Sequence, residues 1–195
     1  MSCTQDKLLL GSSLCKQVSE YIHNSGINID HIIFKGDIDL NNIKSKLKSN
    51  NKSYKQIFFI SGNNLYPSKI HNIKKESHVC LKPFNLENCI DTYKNLVKIL
   101  ETFTDHLIFI EPPPRATTIK FTRCKFFDDE CKNRFRIVKN NLSSNKIYIG
   151  VLTCSTILGF LGQTGFEGLL STDNIHLSKK ALQIIAQQVT QNYNS

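Results

Sequence analysis

Asp173 and His176 are the two residues near the end of the chain whose types and spacing best suit chemistry. They lie three positions apart, directly before a pattern that predicts an amphipathic helix, so both side chains can turn toward one cleft. Histidine changes charge near neutral pH and can therefore take a proton and return it. A neighbouring carboxylate can orient the imidazole ring and stabilise its charged form. On its own, the pair is more typical of a helix-entry aspartate and a surface histidine.

A candidate nucleophile stands at the other end of the chain. Residues 8–10 are three leucines, which predict a short buried strand, and Gly11, Ser12 and Ser13 follow as a tight turn that presents a hydroxyl. Serine, histidine and aspartate are the set that many acyl-transfer enzymes use, because histidine takes the serine proton while the carboxylate holds the ring. This chemistry requires a fold that brings the two ends of the chain together.

Five short apolar runs between these ends predict β-strands. They cover residues 7–10, 31–34, 56–60, 106–110 and 147–151. The third run is apolar almost throughout, which is typical of a parallel strand covered on both faces. Three prolines follow Glu111 after the fourth run and cannot continue a strand ladder.

Apolar residues at helical spacing predict a helix after each strand. The predicted helices lie around residues 14–22, 40–47, 89–100, 131–142 and 181–189. Ser178 is the expected N-cap of the last one. We expect residues 65–86 to form a loop and residues 158–170 to be a glycine-rich connection. Regular alternation of strand and helix predicts a parallel sheet with helices on both faces, whose strand ends carry the site.

The composition predicts one domain over residues 1–195, since 40% of the residues are hydrophobic. The formal net charge is +9, and basic residues crowd residues 35–55 and 115–146. Such runs are usually solvated helix faces. No aromatic residues alternate with them in the pattern of a base-stacking surface, so nucleic-acid contact is the less favoured interpretation.

Cysteine and histidine usage predicts an intracellular protein, cytoplasmic or nuclear, without a metal site. The seven cysteines are an odd number and include no Cys-x-x-Cys pair, which argues against a disulfide framework and against structural zinc. The histidines show no metal-ligand spacing. No apolar run reaches the length expected for a signal peptide or a membrane span.

Four stretches, in this order along the chain, resemble the blocks of the SGNH (GDSL) hydrolase family. Residues 11–13 are similar to the Gly-Asp-Ser block, and Gly36 corresponds to the glycine after the second strand. Residues 62–65 are similar to the Gly-x-Asn-Asp block, and Asp173 with His176 matches the Asp-x-x-His block. Each block alone is weak evidence. Together they cover the chain from about residue 8 to residue 189.

The resemblance implies a three-layer α/β/α fold with a flavodoxin-like, five-stranded parallel sheet. It also implies a serine esterase that needs no cofactor and acts on a small or acylated substrate, with a short, acetyl-type acyl group favoured. Ser13 would be the nucleophile, His176 the base and Asp173 the residue that orients it. The oxyanion hole would comprise the backbone N–H groups of Ser13 and Gly36 and the side-chain amide of Asn64.

Two positions depart from the family pattern. Ser12 stands where the first block has aspartate, and Leu65 stands where the third block has aspartate. The resemblance gives those acids a bracing role in the loops, not a place in the triad, so their replacement can loosen the site. The alternative is therefore a catalytically weak or inactive binding module with the same fold, in a viral or mobile-element context associated with nucleic acid.

Overall fold

The computed structural model describes residues 6–62, 65, 68–73, 76–81, 84–113, 125–162, 166–171 and 176–191. Five strands form one sheet, and every neighbouring pair is parallel. The strands are β1 Lys7–Gly11, β2 Asp30–Ile33, β3 Gln56–Ile60, β6 His106–Ile110 and β7 Tyr148–Leu152. Their order across the sheet is β2-β1-β3-β6-β7, which is the flavodoxin-like arrangement. The predicted parallel sheet is confirmed, with strand boundaries shifted by at most one residue at either end.

Helices cover both faces of this sheet. They are α1 Ser13–Asn24, α2 Leu40–Asn50, α3 Leu86–Leu100, α4 Lys125–Asn140, α5 Cys154–Leu161 and α6 Lys179–Thr190, with a 3-10 helix at Phe166–Leu169. Helix α5 was not expected, because its eight residues include β-branched Thr156 and Ile157 and a glycine at 159. Thr153 caps its first turn by accepting a hydrogen bond from the Thr156 N–H at 3.1 Å.

Alternate residues of each central strand face opposite cores. In β3, Ile57 and Phe59 pack in the core shared with α2, α3 and α4. Phe58 and Ile60 pack in the core shared with α1, α5 and α6. All four side chains are almost fully buried. Burial on both faces explains why the strand is apolar at consecutive positions and confirms the three-layer arrangement.

The prediction of a loop over residues 65–86 is wrong in part. Two strands, β4 Ser68–Ile73 and β5 Glu76–Leu81, pair antiparallel as a separate hairpin, with Ile70 opposite Val79. Two of the six residues in β4 and three of the six in β5 are apolar, without regular alternation. The connection is Lys74-Lys75 instead of the glycine, asparagine or aspartate that signals a tight hairpin turn. The sequence pattern is therefore too weak to predict the hairpin.

Helix α6, which starts just after His176, is held at both ends. Ser178 caps its start, as predicted, by accepting a hydrogen bond from the Ala181 N–H at 3.1 Å. At its end, the Lys7 ammonium donates to the carbonyls of Val189 and Gln191, each at 2.8 Å. Because Lys7 begins β1, α6 runs antiparallel to that strand, and its start lies at the edge where β1 ends. Among the described helices, none is both long enough and apolar enough to cross a lipid bilayer.

Candidate active site at the carboxyl edge of the sheet

Ser13 is the first residue of α1 and is exposed at the carboxyl end of β1. Ser12, its neighbour, is buried, with 1% of its surface exposed. The first N–H groups of a helix have no partner within the helix and give this end a partial positive charge. A negative charge that develops on or beside the Ser13 hydroxyl is therefore stabilised. Of the two adjacent serines, Ser13 is the one that presents its hydroxyl to solvent.

The turn that carries Ser13 is held by close backbone packing. A Cβ atom on Gly11 would overlap the carbonyl oxygen of Ile60 in the adjacent strand β3. The Ser12 N–H donates to that same oxygen at 3.2 Å, and the Phe34 N–H donates to the Gly11 carbonyl at 2.9 Å. Glycine at position 11 is thus required by the distance between neighbouring strands, and the turn is fixed from both sides.

Gly36 lies in the bend after β2 and adopts a left-handed conformation with φ of 74°. Residues with a side chain rarely adopt this conformation. A Cβ atom built at this position has no neighbouring atom within 4 Å in the described part of the chain. The backbone conformation alone therefore explains the glycine, and the space beside it is open.

The third predicted stretch begins at the carboxyl end of β3. Ser61 and Gly62 are buried there, and the Ser61 carbonyl accepts a hydrogen bond from the Tyr93 hydroxyl at 3.3 Å. Asn64, the predicted oxyanion donor, lies outside the described residues. Leu65 is described and is fully buried. The chain on both sides of position 64 is therefore anchored to the protein interior.

Arg134 of α4 holds Leu65 in place. Its Nη1 donates to the Leu65 carbonyl at 3.2 Å, and its Nε donates to the Glu130 carboxylate at 2.8 Å. The guanidinium also stacks on the Phe84 ring, 4.3 Å from the ring centre. These contacts explain why an arginine can be nearly buried at this position. Its charge is paired with a carboxylate, and two of its N–H groups have acceptors. At the position where the family pattern has an acid, the loop is anchored instead by an apolar side chain and a carbonyl bonded to arginine.

His176 is exposed, and backbone hydrogen bonds connect its segment to residues 169–171. The Ser171 N–H donates to the His176 carbonyl at 2.8 Å, and the Ser178 N–H donates to the Leu169 carbonyl at 2.8 Å. Asp173 lies outside the described residues. The two segments are thus paired directly beside the histidine.

Gln17 connects the segment of His176 to the helix of Ser13. Its side-chain oxygen accepts a hydrogen bond from the Leu177 N–H at 3.0 Å. Residues four apart on a helix lie on the same face, so Ser13 and Gln17 share one face of α1. The residue after His176 is therefore tied to the helix face that carries Ser13. Sequence analysis did not identify Gln17, because the bond spans 160 positions of the chain.

Glu111, the residue before the three prolines, is a buried carboxylate at the same sheet edge, and sequence analysis assigned it no role. Its Oε2 accepts a hydrogen bond from the Cys154 N–H, the first of helix α5, at 2.7 Å. Burial raises the pKa of Glu111, and the bond to Cys154 opposes that rise. The carboxylate fixes the start of α5, the helix that leads toward the segment of His176. Arg115, four positions on, lies outside the described residues.

The cysteines and the metal-ligating side chains of the described residues do not supply a competing reactive group. Burial raises the pKa of the Cys15 thiol to about 12, so it is not a thiolate at neutral pH and does not compete with Ser13. The side chains described for Cys15, Cys89, Cys131 and Cys154 are buried and form no disulfide. Within the described ranges, no three histidine, cysteine or acidic side chains are grouped closely enough to hold a metal ion.

Comparison with known proteins gives structural matches only. No family model and no curated protein matches the chain. Among solved structures, a carbohydrate esterase family 3 protein from Talaromyces cellulolyticus is similar over 94% of both chains, with 17% identity and a TM-score of 0.59. A mutant acetyl esterase with an acetate ion matches over 94% of both chains, with 16% identity and a TM-score of 0.57.

A GDSL-like lipase from Bacteroides thetaiotaomicron is a further structural match. It is 9% identical, with a TM-score of 0.55 over 94% of this chain and 84% of that one. At such identities the likeness shows the fold. The chain therefore has the α/β fold of SGNH-type hydrolases, as the order of its motifs predicts.

Proposed function

We propose that this protein is a serine esterase that hydrolyses a carboxylic ester through an acyl-enzyme intermediate. The observation that carries the proposal is the placement of Ser13, exposed at the first position of α1, on the helix face from which Gln17 binds the Leu177 N–H. Acyl transfer requires a nucleophile and a histidine close together, and this bond brings the residue after His176 to the helix face that carries Ser13. We assign the whole chain, residues 1–195, to one such domain.

The reaction then follows from the assigned roles. Ser13 Oγ attacks the ester carbonyl carbon while His176 takes its proton, with Asp173 orienting the ring. The oxygen of the tetrahedral intermediate accepts hydrogen bonds from the Ser13 N–H, the Gly36 N–H and the Asn64 amide. His176 returns the proton to the departing alcohol. It then activates water, which releases the acid and regenerates Ser13.

A short acyl group is the substrate class that we favour. Acetyl esterases and acetylxylan esterases are among the proteins that share this fold. Ser13 is also exposed at the end of the strand. An acetyl ester of a small molecule or of a larger acylated polymer fits an exposed nucleophile of this kind.

The proposal is tested by hydrolysis of p-nitrophenyl acetate. The wild type should turn over this ester without added metal, and a chelator should have no effect. Ser13→Ala and His176→Ala should each remove nearly all activity, because the members of a triad act as one unit. Asn64→Ala should lower kcat by roughly 100- to 1000-fold, as expected for the loss of one oxyanion donor.

A binding module without turnover is the second candidate function. The observation that favours it is the absence of both bracing acids, at Ser12 and Leu65. This candidate predicts that the wild type hydrolyses no short-chain ester although it is folded. It gains further support if DNA or RNA binds tightly at moderate salt and if reversing the charge of Lys44, Lys46 and Lys48 together weakens that binding.

A further inference from the structure

A small apolar cavity lies between α4 and the edge of the sheet, on the face opposite to α1. Its volume is about 130 Å³. Its apolar wall is formed mainly by Tyr93, Phe109, Phe135, Val138, Ile149 and Val151. Ile149 and Val151 are only half-buried although they lie in the sheet, because β7 is an edge strand. The cavity is therefore accessible from the edge of the sheet.

A wider cleft of about 450 Å³ adjoins this cavity, and Leu142 lines both. Lys94, Lys98 and Lys146 line the cleft together with a single acid, Glu101. The Glu101 carboxylate is already engaged, since it accepts a hydrogen bond from the Ser144 hydroxyl at 2.7 Å and lies 3.8 Å from the Lys146 ammonium. The cleft thus has an excess of positive charge beside an apolar chamber.

Lys139 lies close to the junction of cavity and cleft, because its carbonyl accepts a hydrogen bond at 3.0 Å from the N–H of Leu142, which lines both. It lines the apolar cavity, yet it is an exposed residue of α4. Lysine side chains commonly cover apolar surface with their methylene groups while the ammonium stays in water. In the described part of the chain, Lys94, Lys98 and Lys139 form no ion pair with a carboxylate. Lys139 at the cavity, and Lys94 and Lys98 in the adjoining cleft, therefore have no carboxylate partner among the described residues.

We propose that the cavity and cleft form a binding site for an alkyl carboxylate, with its tail in the cavity and its head among Lys94, Lys98 and Lys139. Dry apolar cavities of about 150 Å³ accept benzene, so this cavity has room for a tail of about six carbons. The lysines supply charge-assisted hydrogen bonds to the carboxylate. The site shares no residue with the proposed triad or oxyanion hole, so either proposal can fail without the other.

Isothermal titration calorimetry with sodium hexanoate tests this site. Hexanoate should bind, and lengthening the chain from butanoate to hexanoate should tighten Kd about fourfold for each CH₂ group. Added sodium chloride should weaken binding, because the head is held by charge. Acetate, which lacks the tail, and hexanol, which lacks the charge, should bind much more weakly. Equal binding of hexanol and hexanoate, or of acetate and hexanoate, would overturn the proposal.

Two variants locate the binding. Val151→Phe fills the cavity from the edge strand and should weaken hexanoate binding at least about tenfold. Lys139→Glu reverses the charge of one exposed side chain at the cavity and should weaken hexanoate binding by about tenfold. Lys180→Glu is the matched control, because it makes the same charge change at an exposed position of α6 on the opposite face of the sheet, and it should leave Kd unchanged. The site does not exist as proposed if wild type fails to bind hexanoate or if Lys139→Glu binds it as wild type does.

Discussion

The turn after β1 and the turn after β3 leave neighbouring strands at the same edge of the sheet, yet they are held in different ways. The first, residues 11–13, is fixed by backbone, because Gly11 packs against the Ile60 carbonyl and Ser12 bonds to it. The second, residues 61–65, is fixed by side chains of two helices, Tyr93 from α3 and Arg134 from α4.

Because the two turns are held differently, we expect changes in one to affect mainly stability and changes in the other to affect mainly the geometry of the site. A change at Gly11, which packs the turn after β1 against β3, should act mainly on folding, since the sheet itself holds that turn. Changes at the anchors of the turn after β3 should act more on the placement of Asn64 than on the fold. The same contrast shows how the chain departs from the family pattern. Ser12 leaves a buried hydroxyl without a hydrogen-bond partner among the described residues, whereas Leu65 is packed and its carbonyl is bonded.

Gly11→Ala should have the largest effect. Its new Cβ would overlap a backbone oxygen that cannot move without distorting β3, so we expect a loss of about 3 kcal/mol or more in the free energy of unfolding. Gly36→Ala is the control, because its cost is the left-handed conformation alone, about 1–2 kcal/mol. Urea unfolding of both variants measures the difference. Equal losses of unfolding free energy in the two variants would show that glycine is required at both positions for the same physical reason.

Arg134→Met should have an intermediate effect on stability and a clear effect on turnover. It removes the donors to Leu65 and Glu130, which we expect to cost about 2 kcal/mol. By releasing the loop, it should also lower the kcat for p-nitrophenyl acetate about tenfold, with little change in KM.

Two further variants serve as controls for Arg134→Met. Arg136→Met changes an exposed arginine of the same helix and should alter neither stability nor kcat. Arg134→Lys retains the charge and should recover part of the turnover. If kcat stays at the wild-type value in Arg134→Met while stability falls, Arg134 supports the fold and does not position the loop.

Ser12→Ala should have the smallest effect on the free energy of unfolding, and this effect should have the opposite sign. A buried hydroxyl without a partner costs free energy, so its removal should leave the protein unchanged or stabilise it by up to about 1 kcal/mol. Thermal unfolding of Ser12→Ala is compared with that of Ser13→Ala, which changes an exposed serine one position away. A loss of more than about 1 kcal/mol would mean that the Ser12 hydroxyl has a stabilising partner in the folded protein.

The sequence predicts the parts of this structure that depend on local pattern. Apolar runs identify the five parallel strands, and a serine before an apolar-periodic segment identifies the N-cap of α6. The turns with Gly11 and Gly36 are also visible, because glycine marks close packing or a left-handed backbone.

The contacts that brace the site could not be predicted in this way. Arg134 and Leu65 are 69 positions apart, and Glu111 and Cys154 are 43 apart. Nothing in the local sequence pairs such residues, since a basic residue on a helix is usually solvated and an acid before prolines usually belongs to a loop. Their partners are determined by how the helices pack on the sheet.

The most direct test of the account is labelling with a fluorophosphonate probe, followed by peptide mass spectrometry. The account predicts that the wild type is labelled at Ser13, that Ser12→Ala is labelled equally well and that Ser13→Ala is not labelled, because Ser13 is exposed at the helix start while Ser12 is buried. Labelling that persists in Ser13→Ala and disappears in Ser12→Ala would contradict the assignment of the nucleophile. Absence of labelling in folded wild-type protein would contradict the esterase itself.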